Sequence, residues 1–139
     1  MDDVELTKAV CQVLATRNGW AWRPSGPAYT SADVGIFYGP LAASPDRAIG
    51  VSLYTADDDV RTGLAARRVQ IRHRGPRGRP DGADELASQT FTALQGLARV
   101  AGIALASRVL VARLGADENG RQERADSYQI ILDNPEASS

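Results

Sequence analysis

Apolar positions follow a helical period at the start of the chain. Leu6, Val10, Val13 and Leu14 recur at i, i+4, i+7 and i+8, which predicts an amphipathic helix over residues 3–17. Asp2 stands where an N-cap belongs, with Glu5 three residues on, and Gly19 after Asn18 supplies a left-handed stop. Cys11 falls inside this helix and reads as a small core residue. Residues 20–32 carry Trp20, Trp22, Pro24, Gly26, Pro27 and Tyr29, an irregular or briefly extended segment. In an extended chain the two tryptophans point the same way, and they read as core cover rather than a stacking platform.

From Asp33 onward the period changes to two. A short β-prone run at residues 35–39 precedes a turn-rich connection over residues 40–46. Ile49, Val51 and Leu53 then alternate with Gly50, Ser52 and Tyr54, the pattern of a half-buried strand. Asp57, Asp58 and Asp59 open a polar loop that ends near Gly63. In the next strand Val69, Ile71 and His73 face one side, while Arg68, Gln70, Arg72 and Arg74 face the other. Gly75 and Pro76, then Gly78 and Pro80, end it.

Asp81, Asp84 and Glu85 mark the start of a second helix over about residues 82–99. Its expected buried stripe is Ala87, Phe91, Leu94 and Ala98. Gly96 inside it implies close packing against another element, since glycine there costs about 1 kcal/mol relative to alanine. Leu105, Val109 and Val111 mark a fourth strand, and Tyr128, Ile130 and Leu132 a fifth. Between them Asn119 and Gly120 form a hairpin tip that should project into solvent. The order is α-β-β-β-α-β-β. This predicts one α+β domain over residues 1–133, a mostly antiparallel (mixed) sheet of about five strands with two helices on one face. Residues 134–139 are expected to be a flexible C-terminal tail.

Composition narrows the function. With 139 residues, 43% hydrophobic and 24% charged, the chain can bury a continuous core without disulfides or metal. One cysteine excludes an internal disulfide. No apolar run approaches the roughly 20 residues that span a bilayer, and the acidic start, Met1 to Glu5, is unlike a secretion signal, so no membrane role is expected. The formal net charge of −1 gives no whole-surface attraction to a polyanion.

Chemistry is sparse. His73 is the one histidine, and it sits on the inward side of a strand, where a core role fits better than a catalytic base. No serine or cysteine stands in a nucleophile setting. One Cys and one His exclude the usual zinc sets, and neither Asp57 to Asp59 nor Asp117 to Gly120 has calcium-loop spacing. No glycine-rich phosphate loop occupies a strand-to-helix junction. No catalytic, cofactor-binding or metal-binding residues are therefore assigned, and no enzyme activity or cofactor is expected.

The dominant local feature is basic. Seven of the fifteen arginines lie between residues 61 and 79. They could contact phosphates, which keeps a small nucleic-acid-binding module open. No aromatic residue alternates with them as in single-strand platforms, however, and arginine–carboxylate pairs across a subunit boundary would use the same side chains.

Several stretches together carry a resemblance. They are Gly39-Pro-Leu41, Ser44-Pro-Asp-Arg-Ala-Ile49, Val69-Gln-Ile-Arg-His-Arg-Gly-Pro-Arg-Gly78, Asp84-Glu-Leu-Ala87, Ala93-Leu-Gln-Gly-Leu97, and Leu114 to Arg124 with Asp126 and Tyr128. In this order and spacing, over roughly residues 30–133, the sequence resembles the tail terminator (minor capsid, neck) proteins of long-tailed phages with non-contractile tails. The resemblance implies a homo-hexameric ring on the completed tail tube. There it would stop polymerisation of the major tail tube protein and meet the head-completion or connector protein. DNA would pass through the lumen only as cargo. The implied location is the head–tail junction of the virion, with assembly in the host cytoplasm. Another neck protein of similar fold, a head-completion or stopper protein, is the nearest alternative. A ring needs two different patches on each subunit. The expected interface candidates are Arg67, Arg68, Arg72, Arg74, Arg77 and Arg79 on the basic side, and Asp57, Asp58, Asp59, Asp117 and Glu118 on the acidic side. Arg121 and Arg124 of the hairpin are counted with them.

Overall fold

A computed structural model describes residues 1–59, 61–62 and 65–133; the predicted tail at 134–139 and the loop end at Gly63 lie outside them. Helix α1 (Asp3–Asn18) begins with the predicted capping box: the Asp2 carboxylate accepts from the Glu5 amide at 2.7 Å, and the Glu5 side chain accepts from the Asp2 amide. Gly19, at φ +69°, ends it in the left-handed conformation. Leu6, Val10, Val13 and Leu14 are all buried, as their spacing requires.

Six strands form one sheet: β1 (Ala21–Trp22), β2 (Gly35–Tyr38), β3 (Ala48–Asp58), β4 (Ala65–Arg77), β5 (Ile103–Ala116) and β6 (Arg121–Leu132), in spatial order β1-β2-β3-β4-β6-β5. The β1–β2 and β2–β3 pairs are parallel and the other three antiparallel. The strand beyond the expected five is β1, two residues of the tryptophan segment that pair with Gly35 and Ile36. Trp20 is buried and Trp22 packs against the core. Helix α2 (Gly82–Leu94) packs on β4 and β6, α1 packs on β2 and β3, and the helices touch each other, so both cover one face. Leu6, Leu14, Ile36, Ile49, Ile71, Leu94 and Tyr128 fill the space between the layers. Val69, Ile71 and His73 point into this core as predicted.

Three expectations change. Helix α2 stops at Leu94 instead of near residue 99, because Gly96 adopts φ +75° and its amide turns to the Ala106 carbonyl. Gly96 is thus a helix stop and not a close-packing glycine, and Ala98 is exposed beyond the helix. Strand β3 runs on through Asp57 and Asp58, which pair with Ala66 and Ala65, so these acids belong to a hairpin arm, not a loop. Strand β4 likewise continues through Gly75 and Pro76 to Arg77 across a bulge, where proline's missing amide is tolerated. A Cβ on Gly75 would lie 2.6 Å from the Gly82 carbonyl carbon, so glycine there lets β4 meet the start of α2 backbone to backbone.

Candidate assembly surfaces

The alternation of β4 divides its polar residues between two environments. On the helix side His73 is fully buried, with Nε2 2.8 Å from Thr90 Oγ1 and Nδ1 3.2 Å from the Arg124 carbonyl. A carbonyl only accepts, so Nδ1–H donates to it and Nε2 accepts from the threonine hydroxyl. Burial pushes the His73 pKa down to about 4, against a smaller opposite pull from Asp126. The ring is a neutral core residue with both nitrogens satisfied.

Next to it lies a charged network. Asp126, 0% exposed, receives Arg124 through Nε at 2.8 Å and a terminal nitrogen at 3.1 Å, and Arg108 at 3.5 Å. Arg124 also reaches Asp84, whose carboxylate takes Arg113 at 2.7 Å; hydrogen bonds from these two guanidiniums, Arg113 foremost, hold the Asp84 pKa below the usual carboxylate range. The Arg108 guanidinium stacks over Phe91, 4.3 Å from its ring centre. The network fastens β5 and β6 to the start of α2. Asp126 was not among the expected site residues, although it belongs to the stretches that carry the resemblance; its local signal is a carboxylate at an inward position two residues before Tyr128.

At one end of the sheet two arginines are interior. Arg74, 4% exposed, donates to the carbonyls of Ala42, Pro45 and Asp46 at 2.7–2.9 Å. Arg121, 5% exposed, donates to the Ala43 carbonyl at 2.7 Å, to Asp46 at 3.1 Å and to Asp117 at 2.9 Å. Asp117 also accepts the amides of Asn119 and Arg121, the latter being the main reason its pKa is lowered. Together these bonds lock the 42–46 loop to the β5–β6 turn. Arg77 meets Asp46 at 3.4 Å, and Arg79 meets Asp81 and Glu85, all with exposed side chains.

The opposite end is lighter. Arg67 bridges Asp3 of α1 at 2.9 Å and Asp58 at 2.6 Å. Asp59 accepts the amides of Arg61 and Thr62, which lower its pKa and shape the turn. Asp57 and Glu118 are exposed. On the face away from the helices Arg72 pairs with Glu123 at 2.7 Å, and exposed Arg68 borders a shallow cleft of about 400 Å³ with Thr55, Asp57 and Gln129. The basic stretch is therefore not one patch. Arg67 with Asp58, and Arg121 with Asp117, pair within the chain.

Apolar surface lies elsewhere. Edge strand β5 exposes Leu105, Val109, Leu110, Val111 and Leu114, and three register shifts against β6 turn consecutive residues outward. The sequence signal was Val109-Leu-Val111, three apolar residues in a row within a strand. At the other side of the sheet, β2 pairs with β3 only as far as Val51, and beyond it no strand among the described residues pairs with that side of β3. Among the described residues no group of three or more His, Cys, Asp or Glu could hold a metal ion, and no helix is long and apolar enough to cross a membrane.

A family model described as "Bacteriophage tail terminator protein" matches residues 13–134. The chain belongs to this family. The match takes in both helices' packing partners, the whole sheet and both loops clamped by Arg74 and Arg121. Membership assigns the terminator a structural role in a phage tail. Among solved structures the terminator is similar to a chain of "Virion of native gene transfer agent (GTA) particle", with a TM-score of 0.58 and 17% identity, covering 91% of this chain and 93% of that one. At that identity the likeness establishes a shared fold. No curated protein sequence matches the chain.

Proposed function

We propose that this terminator closes the completed tail tube as a hexameric ring, stops further addition of the major tail tube protein, and offers its outer surface to the head-completion or connector protein. It acts at the head–tail junction of the virion, without catalysis, and DNA passes through the ring's lumen as cargo. Family membership over nearly the whole chain carries this reading. The structure supports it in two ways. The terminator covers only one face of its sheet with helices, leaving the other to polar residues such as Ser52, Thr55, Arg68, Gln70 and Gln129. Such a polar surface suits a wall beside passing DNA. Of the seven arginines between residues 61 and 79, Arg67, Arg72, Arg74, Arg77 and Arg79 already have acceptors within the chain, an arrangement that disfavours a dedicated nucleic-acid grip.

The test is deletion of the gene in the phage that carries it. Loss should leave heads unjoined and tails of uncontrolled length by electron microscopy; tails of normal length would reject the reading. A head-completion protein would instead leave finished tails of correct length beside defective heads.

A further inference from the structure

Asparagine followed by glycine is among the least durable dipeptides in a protein chain, because glycine carries no side chain to shield its nitrogen. The chain holds two such pairs, Asn18–Gly19 and Asn119–Gly120. In the reaction the glycine amide nitrogen loses its proton to water and attacks the carbonyl carbon of the asparagine side chain. A nitrogen–carbon bond forms, the bond to Nδ2 breaks, and ammonia leaves with a proton from solvent. Water then opens the five-membered imide at either carbonyl, giving aspartate or isoaspartate. The net change is one water consumed and one ammonia released.

Ring closure needs a free glycine N–H and an asparagine backbone able to turn, and the structure withholds both. At the β5–β6 tip Asp117 grips the peptide units on either side of Asn119. Its Oδ1 accepts the Asn119 amide at 2.9 Å, and its backbone carbonyl accepts the Gly120 amide at 3.1 Å. Gly120 continues at φ +71°, and its carbonyl accepts the Gly78 amide at 3.1 Å. Asp117 is fixed in turn by Arg121, whose amide and Nε each donate to its carboxylate at 2.9 Å. Arg121 is the buried guanidinium that clamps the 42–46 loop. At the other pair Gly19 ends α1, and the Ala15 carbonyl holds its amide at 2.9 Å. The two pairs differ in their guard. Asn18 rests on the last turn of a core-packed helix, whereas Asn119 is exposed and rests on one aspartate. We infer that Asn119 is a latent deamidation site, held unreactive by Asp117 and released when the Arg121 clamp on the turn opens. Isoaspartate at this position adds one backbone atom between the two amides that Asp117 holds, so the turn cannot close again on both. Modification of the tip therefore records past opening of the clamp. The inference rests on the turn and stands apart from the ring reading.

Mass spectrometry of tryptic peptides after incubation in mildly alkaline buffer tests this, since Arg47 and Arg113 lie between the two asparagines and put them on separate peptides. In the folded protein Asn119 should convert about tenfold or more slowly than in the same chain unfolded in guanidinium chloride, because two hydrogen bonds must open first. Asp117→Ala should raise the Asn119 rate by about tenfold or more and leave Asn18 unchanged. Asp117→Asn keeps an oxygen acceptor for the Asn119 and Arg121 amides and should stay slow. Equal Asn119 rates in the folded and unfolded wild type overturn the inference, as does an Asp117→Ala variant that stays as slow as wild type. Asn18 is the internal reference for misfolding: a variant that raises both rates has loosened the whole fold, and amide exchange of the wild type then decides. The Asn119 and Gly120 amides should exchange more slowly than that of exposed Glu118. Exchange as fast as that of Glu118 overturns the guard.

Discussion

The two ends of the sheet use the same residue type for different work. At the 42–46 end, Arg74 and Arg121 are buried and deliver their donors to four backbone carbonyls and two aspartates. At the β3–β4 hairpin end, Arg67 bridges Asp3 and Asp58, whose side chains are 54% and 61% exposed. Carbonyls of a loop have no other donor once water is excluded, so removing the guanidinium leaves them unsatisfied. Carboxylates in water lose little when their partner goes. The fold is thus held by buried guanidiniums at the 42–46 end and by exposed ion pairs at the hairpin end, although both ends look equally arginine-rich in sequence.

Substitution should separate the ends. Arg74→Met is expected to cost about 3 kcal/mol, read as a lowered urea midpoint, because it removes the buried donor of the Pro45 carbonyl and releases the loop carbonyls of Ala42 and Asp46. A loss no greater than that of Arg67→Ala would erase the contrast. For the same reason Arg74→Glu would disturb the fold before it could report on assembly.

Acid should act next. Folding lowers the His73 pKa from 6.5 to about 4, so below pH 6.5 the unfolded chain takes up a proton that the folded chain refuses. The stability this group contributes is present above pH 6.5 and declines as pH falls through that window, by roughly 3 kcal/mol in all. Thermal melts between pH 7 and pH 4 should show the decline, and His73→Gln should flatten it.

Gly75→Ala forces a methyl against the Gly82 backbone and should cost about 1–3 kcal/mol. Faster amide exchange in the first turn of α2 would locate that strain; unchanged exchange there would show that the junction yields freely. Smallest of all, Arg67→Ala should cost under about 1 kcal/mol, and moderate salt should shrink even that.

Much of the fold was legible because its periods are clean. Leu6 to Leu14 gave the first helix with both caps, and Val69, Ile71 and His73 gave the inward side of β4. The errors fall where a local signal has two meanings. Gly96 costs a helix equally as an internal residue or a stop, and only the Ala106 carbonyl waiting for its amide selects the second. Asp57 and Asp58 read as loop because acids are poor strand formers, yet pairing with β4 carries the strand through them. Among the candidate site residues, the alternation of β4 put Arg74 on the same side as Arg68 and Arg72. It could not show that the 42–46 loop folds over Arg74 alone, since that contact joins residues about thirty positions apart.

The sequence by itself determined the order of the two helices and of strands β2 to β6, the caps of the first helix and the inward side of β4, because these depend on neighbours within one turn or one strand. Tertiary structure decided which arginines are interior clamps and which are surface, and where α2 stops against β5. Those outcomes depend on what strand order and loop closure bring alongside each residue, and no local pattern encodes that.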